Sequence, residues 1–466
     1  MKIRNTFIFY FILFFLISSC SYFQNKIFSI KIESPEYNFL QKKISFQTKS
    51  KTNSFITYWI KNSDSIQSSS LSKDNLIHNI SLLFLSPEKE YQFLIHGSIN
   101  NSSFVSDTLS FATESLPESI PTFTLEKDED FSFDGFIFLR TQMNPGIQLL
   151  IDDQAKVVWY QKSDTSLSRP YDLSTSNTYL SLYSPNLIYE INFDGDTLFK
   201  IDTKDNVLHH ELTKDNYNNI VALSYKYKIV DLTAYGGLAN DSIKGDGIVV
   251  YDSLGNLLWE WNIFDHEDPL SAYEDRKITL KRVEKSKSDA SRIRKRKHDL
   301  LMTKDDWSHG NAIGISSDNN YIVSFRSFDQ LWKIDSQTGE ILWKLGLNGE
   351  IPMDPEAYFY QQHAIHKIKG DTLLLFDNGH RIYRMTSRAL IFCMIEDKFS
   401  LIKAVNLPGK LYSFKQGSVY LMDQNKLLFT SSVNSKILIT DMNGNILWNL
   451  SSDHSFYRSY YLDTKK

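Results

Sequence analysis

Asp441-Met442-Asn443-Gly444-Asn445-Ile446-Leu447-Trp448 is the stretch from which the fold is read. Asp followed by Asn-Gly is turn chemistry: a short acidic side chain can bond the backbone ahead of it, and glycine takes positive φ without steric cost. Two aliphatic residues and a large aromatic follow, as in a strand leaving a hairpin. The unit recurs at Asp153 to Trp159, Asp194-Gly195 to Phe199, Asp252 to Gly255 and Trp259, and Asp335 to Gly339 and Trp343, with a degenerate sixth copy from Asp397. Spread over residues 122–466, six copies give a unit of roughly 57 residues, somewhat above the usual propeller repeat of about 40 to 50. Sustained strand-turn-strand patterning with one aromatic per unit predicts an all-β chain whose larger part is a six-bladed β-propeller.

Ahead of the repeats, residues 27–115 alternate apolar and polar in short runs such as Ile44-Ser45-Phe46-Gln47-Thr48 and Tyr91-Gln92-Phe93-Leu94-Ile95. Leu85-Ser86-Pro87-Glu88-Lys89-Glu90-Tyr91 is similar to the corner of a fibronectin-type domain, where a tyrosine hydroxyl bonds upstream backbone. A small fibronectin-like β-sandwich is expected there, a spacer or docking module rather than a catalyst. The two prolines of Glu114 to Pro121 mark the boundary.

Residues 1–19 read as an export signal, with Lys2 and Arg4 ahead of an apolar run from Phe7 to Ile17 that is short for a permanent span. Ile17-Ser18-Ser19-Cys20 resembles the lipobox of bacterial lipoproteins, which implies lipidation of Cys20, a tether over residues 20–26, and a periplasmic or cell-surface protein held to the membrane. The other reading is an ordinary secretory signal with a chance cysteine. Cys20 and Cys393 are the two cysteines, so with Cys20 lipidated no internal disulfide can form. A net charge of -4 with 23% charged residues excludes an overall bias toward nucleic acid. The basic run Arg292 to His298 belongs to an irregular span, 265–304, that reads as a solvated insertion.

Four segments carry residues suited to chemistry: His209-His210-Glu211; Asp306-Trp307-Ser308-His309-Gly310-Asn311 with Arg326 downstream; Gln361-Gln362-His363-Ala364-Ile365-His366; and Asp377-Asn378-Gly379-His380-Arg381 continuing to Ser387-Arg388-Ala389-Leu390. A lone strand histidine is ordinarily a hydrogen-bonded structural residue. Here one recurs ahead of a following strand in three repeats, and equivalent positions of propeller blades face one channel. In straight strands, His309 and Asn311 would share a face and His366 would point away from His363, which makes His366 structural.

These segments, in this order over residues 130–450, resemble the bacterial aryl-sulfate sulfotransferases. The resemblance implies transfer of a sulfuryl group from a phenolic sulfate ester to another phenol, without a nucleotide donor or any cofactor, by ping-pong through a sulfohistidine. It maps the nucleophile onto His363 and the groups around the sulfuryl onto His210, His309, Asn311 and Arg326, with His209 the register alternative to His210. A neutral imidazole can attack sulfur, and Arg326 and Asn311 offer donors for oxygens that gain charge. Tyr457, Tyr460 and Tyr461 are aromatics expected mainly to pack. The sequence departs from the pattern at His380, and Ser431-Ser432-Val433-Asn434 leaves the hydroxyl donor of the last repeat open. The competing readings are a non-catalytic surface propeller that binds glycan or protein, a quinone-dependent dehydrogenase suggested by Asp335 to Trp343, and a three-histidine zinc site. Monomer or homodimer is left open.

Overall fold

The computed structural model describes residues 27–99, 102–143, 146–162, 169–171, 178–270, 301, 303–423 and 425–463. The residues read as an export signal, Cys20 with its expected tether, and most of the basic span 265–304 lie outside the described residues. Two compact units make up the rest: one runs to Ile120 and takes in Lys156–Gln161, and the other holds Pro121–Ala155 and the described chain from Lys162 onward.

The N-terminal unit is built on a 19-residue strand, Lys42–Ile60. Its first half pairs with Ile27–Glu33 and Ser72–Leu82, and its second half with Glu90–Ile99 and Gln67–Ser68. Ile44, Phe46, Ile80 and Leu82 from the first half share one core with Ile56, Tyr58, Phe93 and Ile95 from the second. All seven strands are linked by hydrogen bonds through Lys42–Ile60, so their pairing does not divide into the two separate sheets expected of a fibronectin-like sandwich. The physical reason is the continuity of Lys42–Ile60 through both halves. The tyrosine corner is present: the Ser86 amide donates to the Tyr91 hydroxyl at 2.9 Å.

The second unit is a six-bladed propeller. Blades two to five each follow the chain from the inner to the outer strand. They start respectively at Arg169–Tyr171, Leu208–Lys214, Gly310–Ile315 and His363–Lys369. Blade six starts at Ser418–Asp423 and gains a fifth strand from the other end of the domain, Phe123–Lys127 paired with Ile446–Ser452. In blade one the C-terminal strand Phe456–Leu462 pairs with Phe136–Thr141, followed outward by Ile147–Ile151 and Val157–Lys162. Both chain ends therefore close the ring, which leaves no open inner edge between first and last blade. The strands Leu208–Lys214, Gly310–Ile315, His363–Lys369, Ser418–Asp423 and Phe456–Leu462 pack in succession and form the inner ring.

Every repeat seen in the sequence falls on the hairpin between the third and fourth strands of a blade. In one of them, Asp252 accepts the amides of Leu254 and Asn256 at 2.9 and 2.8 Å, while Gly255 sits at φ 85°. The aromatic that follows packs at the seam with the next blade: Trp259 on Tyr321, and Trp343 edge-on to Phe399. Two indoles also bond that blade's turn. Trp261 donates to the Gly339 carbonyl at 2.9 Å and Trp448 to the Asp153 carbonyl at 2.8 Å. The apolar cores lie between adjacent blades, and one of them joins Val221, Ile248 and Trp261 of blade three to Val323, Phe325 and Trp332 of blade four.

Trp261→Ala removes both seam packing and a buried hydrogen bond, and should cost about 3 kcal/mol or more of unfolding free energy. Leu254→Ala, on the exposed turn of the same blade, should change it by less than about 0.5 kcal/mol. Urea titration of the two variants checks the contrast.

Candidate active site

Three inner strands have a residue in left-handed backbone at or near their start, and that irregularity aims the site. His210 has φ 56°, His309 φ 50° and Ala364 φ 52°. The ladder register jumps at the same places, between His209 and Leu212, Gly310 and Ala312, and His363 and His366. A non-glycine residue with positive φ is uncommon, and a bulge re-aims the side chains around it. Strict alternation is therefore lost where the sequence relied on it. Asn311 does not extend a straight strand from His309. His366 stacks on Tyr420 of the neighbouring inner strand at 4.7 Å.

His363 is buried, and its Nδ1 lies 2.7 Å from Asn378 Oδ1 and 3.0 Å from the Gln361 carbonyl. Asn378 has no freedom to turn. Its Nδ2 donates to the carbonyls of Ser413 and Gln416 at 2.7 and 2.8 Å, so Oδ1 must face the ring. Nδ1 of His363 consequently carries the proton and Nε2 the lone pair. Burial, then the Arg326 charge, hold this imidazole well below the usual histidine range, against the opposing Asn378 hydrogen bond, so it is neutral at pH 7.

Arg326 opens the turn after Tyr321–Phe325, and its amide donates to the His309 carbonyl at 3.1 Å. Among the described residues its guanidinium has no hydrogen-bond or ion-pair partner, although burial disfavours its charge. A half-buried cation in that condition is a ready anion site. His309 and His210 stand together, ring centroids 5.2 Å apart, with Tyr457 6.4 Å from His210. His309 Nδ1 is held by the Asp306 carboxylate.

Of the pair left open by the sequence, His210 is the one beside His309, and His209 lies behind it. His209 stacks on Tyr225 at 3.9 Å, and its Nδ1 is 2.9 Å from His210 Nδ1. Its Nε2 is 3.1 Å from Asp246 Oδ1, within ion-pair distance but bent away from a straight hydrogen bond. Asp246 also accepts the Ser308 hydroxyl and, at 2.7 Å, the Gly310 amide. Burial opposes its charge, yet these contacts outweigh it and keep the carboxyl below its ordinary range.

Asn311 is fully buried, and its Nδ2 donates to the Gln362 carbonyl at 2.8 Å, pinning the residue before His363. That is where the structure puts an amide expected at the sulfuryl. In the last repeat, Ser431 bonds the Leu411 carbonyl at 3.0 Å, while Ser432 joins Gln142 and Gln416. Tyr460 packs against Tyr420 and Tyr461 against Phe133, as expected of packing aromatics.

Sequence reasoning missed Asn378, Asp246 and Arg458. Asn378 stood in a quoted segment without a visible role, and Asp246 and Arg458 had no local signal. From blade one, Arg458 reaches Glu211 of blade three at 2.7 Å and the Asn311 carbonyl of blade four at 2.9 Å. This buried ion pair crosses the axis of the ring. Among the described residues no group of His, Cys, Asp and Glu is arranged to hold a metal ion. A cleft of about 300 Å³ between blades four and five, bordered by Lys333, Trp343 and Lys367, shares none of the site residues.

Fold and site together define a propeller that gathers three histidines and an arginine toward its inner ring. The chain belongs to the arylsulfotransferase (ASST) family, whose model matches residues 122–400. That membership supports arylsulfate sulfotransferase activity in general. No curated protein matches the chain. Similar solved structures include a protein of unknown function from Bacteroides caccae, 11% identical over 70% of this chain and 97% of that one, with a TM-score of 0.43. Virginiamycin B lyase from Staphylococcus aureus is 14% identical over 74% and 89% of the two chains at a TM-score of 0.30. BamB from Moraxella catarrhalis is 10% identical over 90% and 96% at 0.30. At such scores these likenesses add nothing to the fold seen in the sheets.

Burial first, against the Ala364 carbonyl contact and with the Arg458 charge, pushes His366 down to about 4. A histidine with a depressed folded pKa binds fewer protons than its unfolded counterpart between the two values, so stability is lost as pH falls from about 6.5 toward 4. His366→Gln should flatten that loss, which melting temperatures measured across this range will show.

Proposed function

We propose that this protein moves a sulfuryl group from a phenolic sulfate ester to another phenol through a covalent intermediate on His363. The observation that supports this reading is the pairing of a neutral imidazole, its proton fixed on Nδ1 by Asn378, with the Arg326 guanidinium, unpartnered among the described residues. Nε2 attacks sulfur, the S–O bond to the donor phenol breaks, and its electron pair leaves on that oxygen. An acceptor phenol then attacks the same sulfur and the S–N pair returns to His363. Splitting one displacement into two is the usual gain of nucleophilic catalysis. Arg326 meets the charge that gathers on the sulfuryl oxygens, and the neighbouring rings of His309 and His210 are the groups available to protonate a leaving oxygen. No nucleotide donor and no cofactor enter this scheme.

The same reading includes export and tethering to the bacterial membrane through lipidated Cys20, with the N-terminal unit as a spacer. The membrane anchor would favour donors and acceptors found at the cell surface.

The test is release of 4-nitrophenol from 4-nitrophenyl sulfate with phenol as acceptor. Wild type should release it in an acceptor-dependent way with parallel double-reciprocal plots, His363→Ala should not, and Arg326→Met should lose about 10²- to 10³-fold in kcat. Absence of release by wild type across several aryl sulfates would overturn the proposal and favour the propeller that only binds a surface partner.

A further inference from the structure

The two adjacent histidines of blade three are not alternatives for one role, because they touch each other and a buried carboxylate in series. Asp246 Oδ1, His209 Nε2, His209 Nδ1 and His210 Nδ1 follow one another with separations of 3.1 Å across the first contact and 2.9 Å across the last. A carboxylate facing Nε2 of His209 draws that nitrogen's proton toward it and leaves the lone pair on Nδ1. Nδ1 of His210 must then be the donor in the contact between the rings. That leaves Nε2 as its other nitrogen, on a ring whose centroid stands 5.2 Å from that of His309 and 6.4 Å from that of Tyr457.

From this we infer that Asp246 and His209 form a relay that positions His210 as the proton carrier of the reaction, His209 being a positioning residue. The inference rests on the sulfuryl-transfer reading. In the first half-reaction, His210, protonated at both nitrogens, passes its Nε2 proton to the phenol oxygen as the S–O bond breaks and the bond from sulfur to His363 forms. In the second, the acceptor phenol gives its proton to His210 Nε2 as its oxygen attacks sulfur, and the starting state is restored.

The other candidate, His309, also meets a carboxylate. Asp306 is 54% exposed at its side chain, whereas Asp246 is 3% exposed. Solvent screens the first, and low dielectric leaves the second at full strength to support an imidazolium one ring away. His209 is held for this task by its stack on Tyr225 at 3.9 Å, and Asp246 by the Ser308 hydroxyl and Gly310 amide. The bulge at His210, φ 56°, is what brings both rings of consecutive residues inward in the same strand. The bent Asp246 contact is of the kind that straightens when substrate is bound.

A proton carrier matters for a basic leaving group and little for an acidic one. kcat/KM is therefore measured with phenyl sulfate, which leaves as a basic phenolate, and with 4-nitrophenyl sulfate, which leaves without help. His209→Phe, which keeps the ring stack on Tyr225, and Asp246→Asn should each lower the phenyl sulfate value by about 10²-fold or more, and the 4-nitrophenyl sulfate value by less than about 10-fold. Equal losses on both donors, or no loss on phenyl sulfate, would overturn the relay. If one variant melts at room temperature, the other decides alone. Wild type inactive on both donors is the separate failure of the parent reading.

Discussion

A histidine is a nucleophile only while one ring nitrogen keeps its lone pair, and here the hydrogen bond between His363 Nδ1 and Asn378 Oδ1 decides which one does. A neutral amide suits that position. It accepts the proton without the charge that would favour an imidazolium, so burial and Arg326 keep the ring uncharged. Much of blade five serves this contact. Asp377, before Asn378, is held by Arg384 and Arg388, and it accepts the amides of Tyr360 and Gly379 at 3.0 Å. Arg388 also bonds the carbonyls of Glu356 and Tyr358, both at 2.9 Å, fixing the loop that leads to His363.

The ring architecture brings these parts together from distant sequence. Arg458, near the end of the chain, lies against Glu211 and Asn311 because the C-terminal strand supplies the inner edge of blade one. Breaking such a pair would strand a buried charge, so the ion pair ties ring closure to the geometry behind Asn311 and His363. The same closure keeps the site histidines on neighbouring inner strands.

What could be read in the sequence followed the range of the interaction. The blade hairpins were legible because their chemistry is local: Asp252 and Gly255, or Asp441 and Gly444, make the turn within a few residues. Residue types suited to the site were legible in the same way, since His210, His309 and His363 each precede a strand. Their partners were not. Asn378 reaches His363 from the next strand, Asp246 reaches His209 from two strands on, and Arg458 comes from another blade. The positive φ of His210, His309 and Ala364 breaks the alternation from which facing was inferred. The N-terminal unit shows the converse: the Tyr91 corner is local and was legible, while the path of Lys42–Ile60 through both halves of the sheet is set by long-range pairing.

The central claim is that sulfur becomes bonded to Nε2 of His363. The direct measurement is peptide mass spectrometry of protein mixed with 4-nitrophenyl sulfate in the absence of acceptor and quenched at alkaline pH, where an N-sulfonated imidazole survives. The account predicts one SO3 group on the peptide containing His363, lost on addition of phenol. Release of 4-nitrophenol with no such adduct, or with the group on another residue, would contradict it.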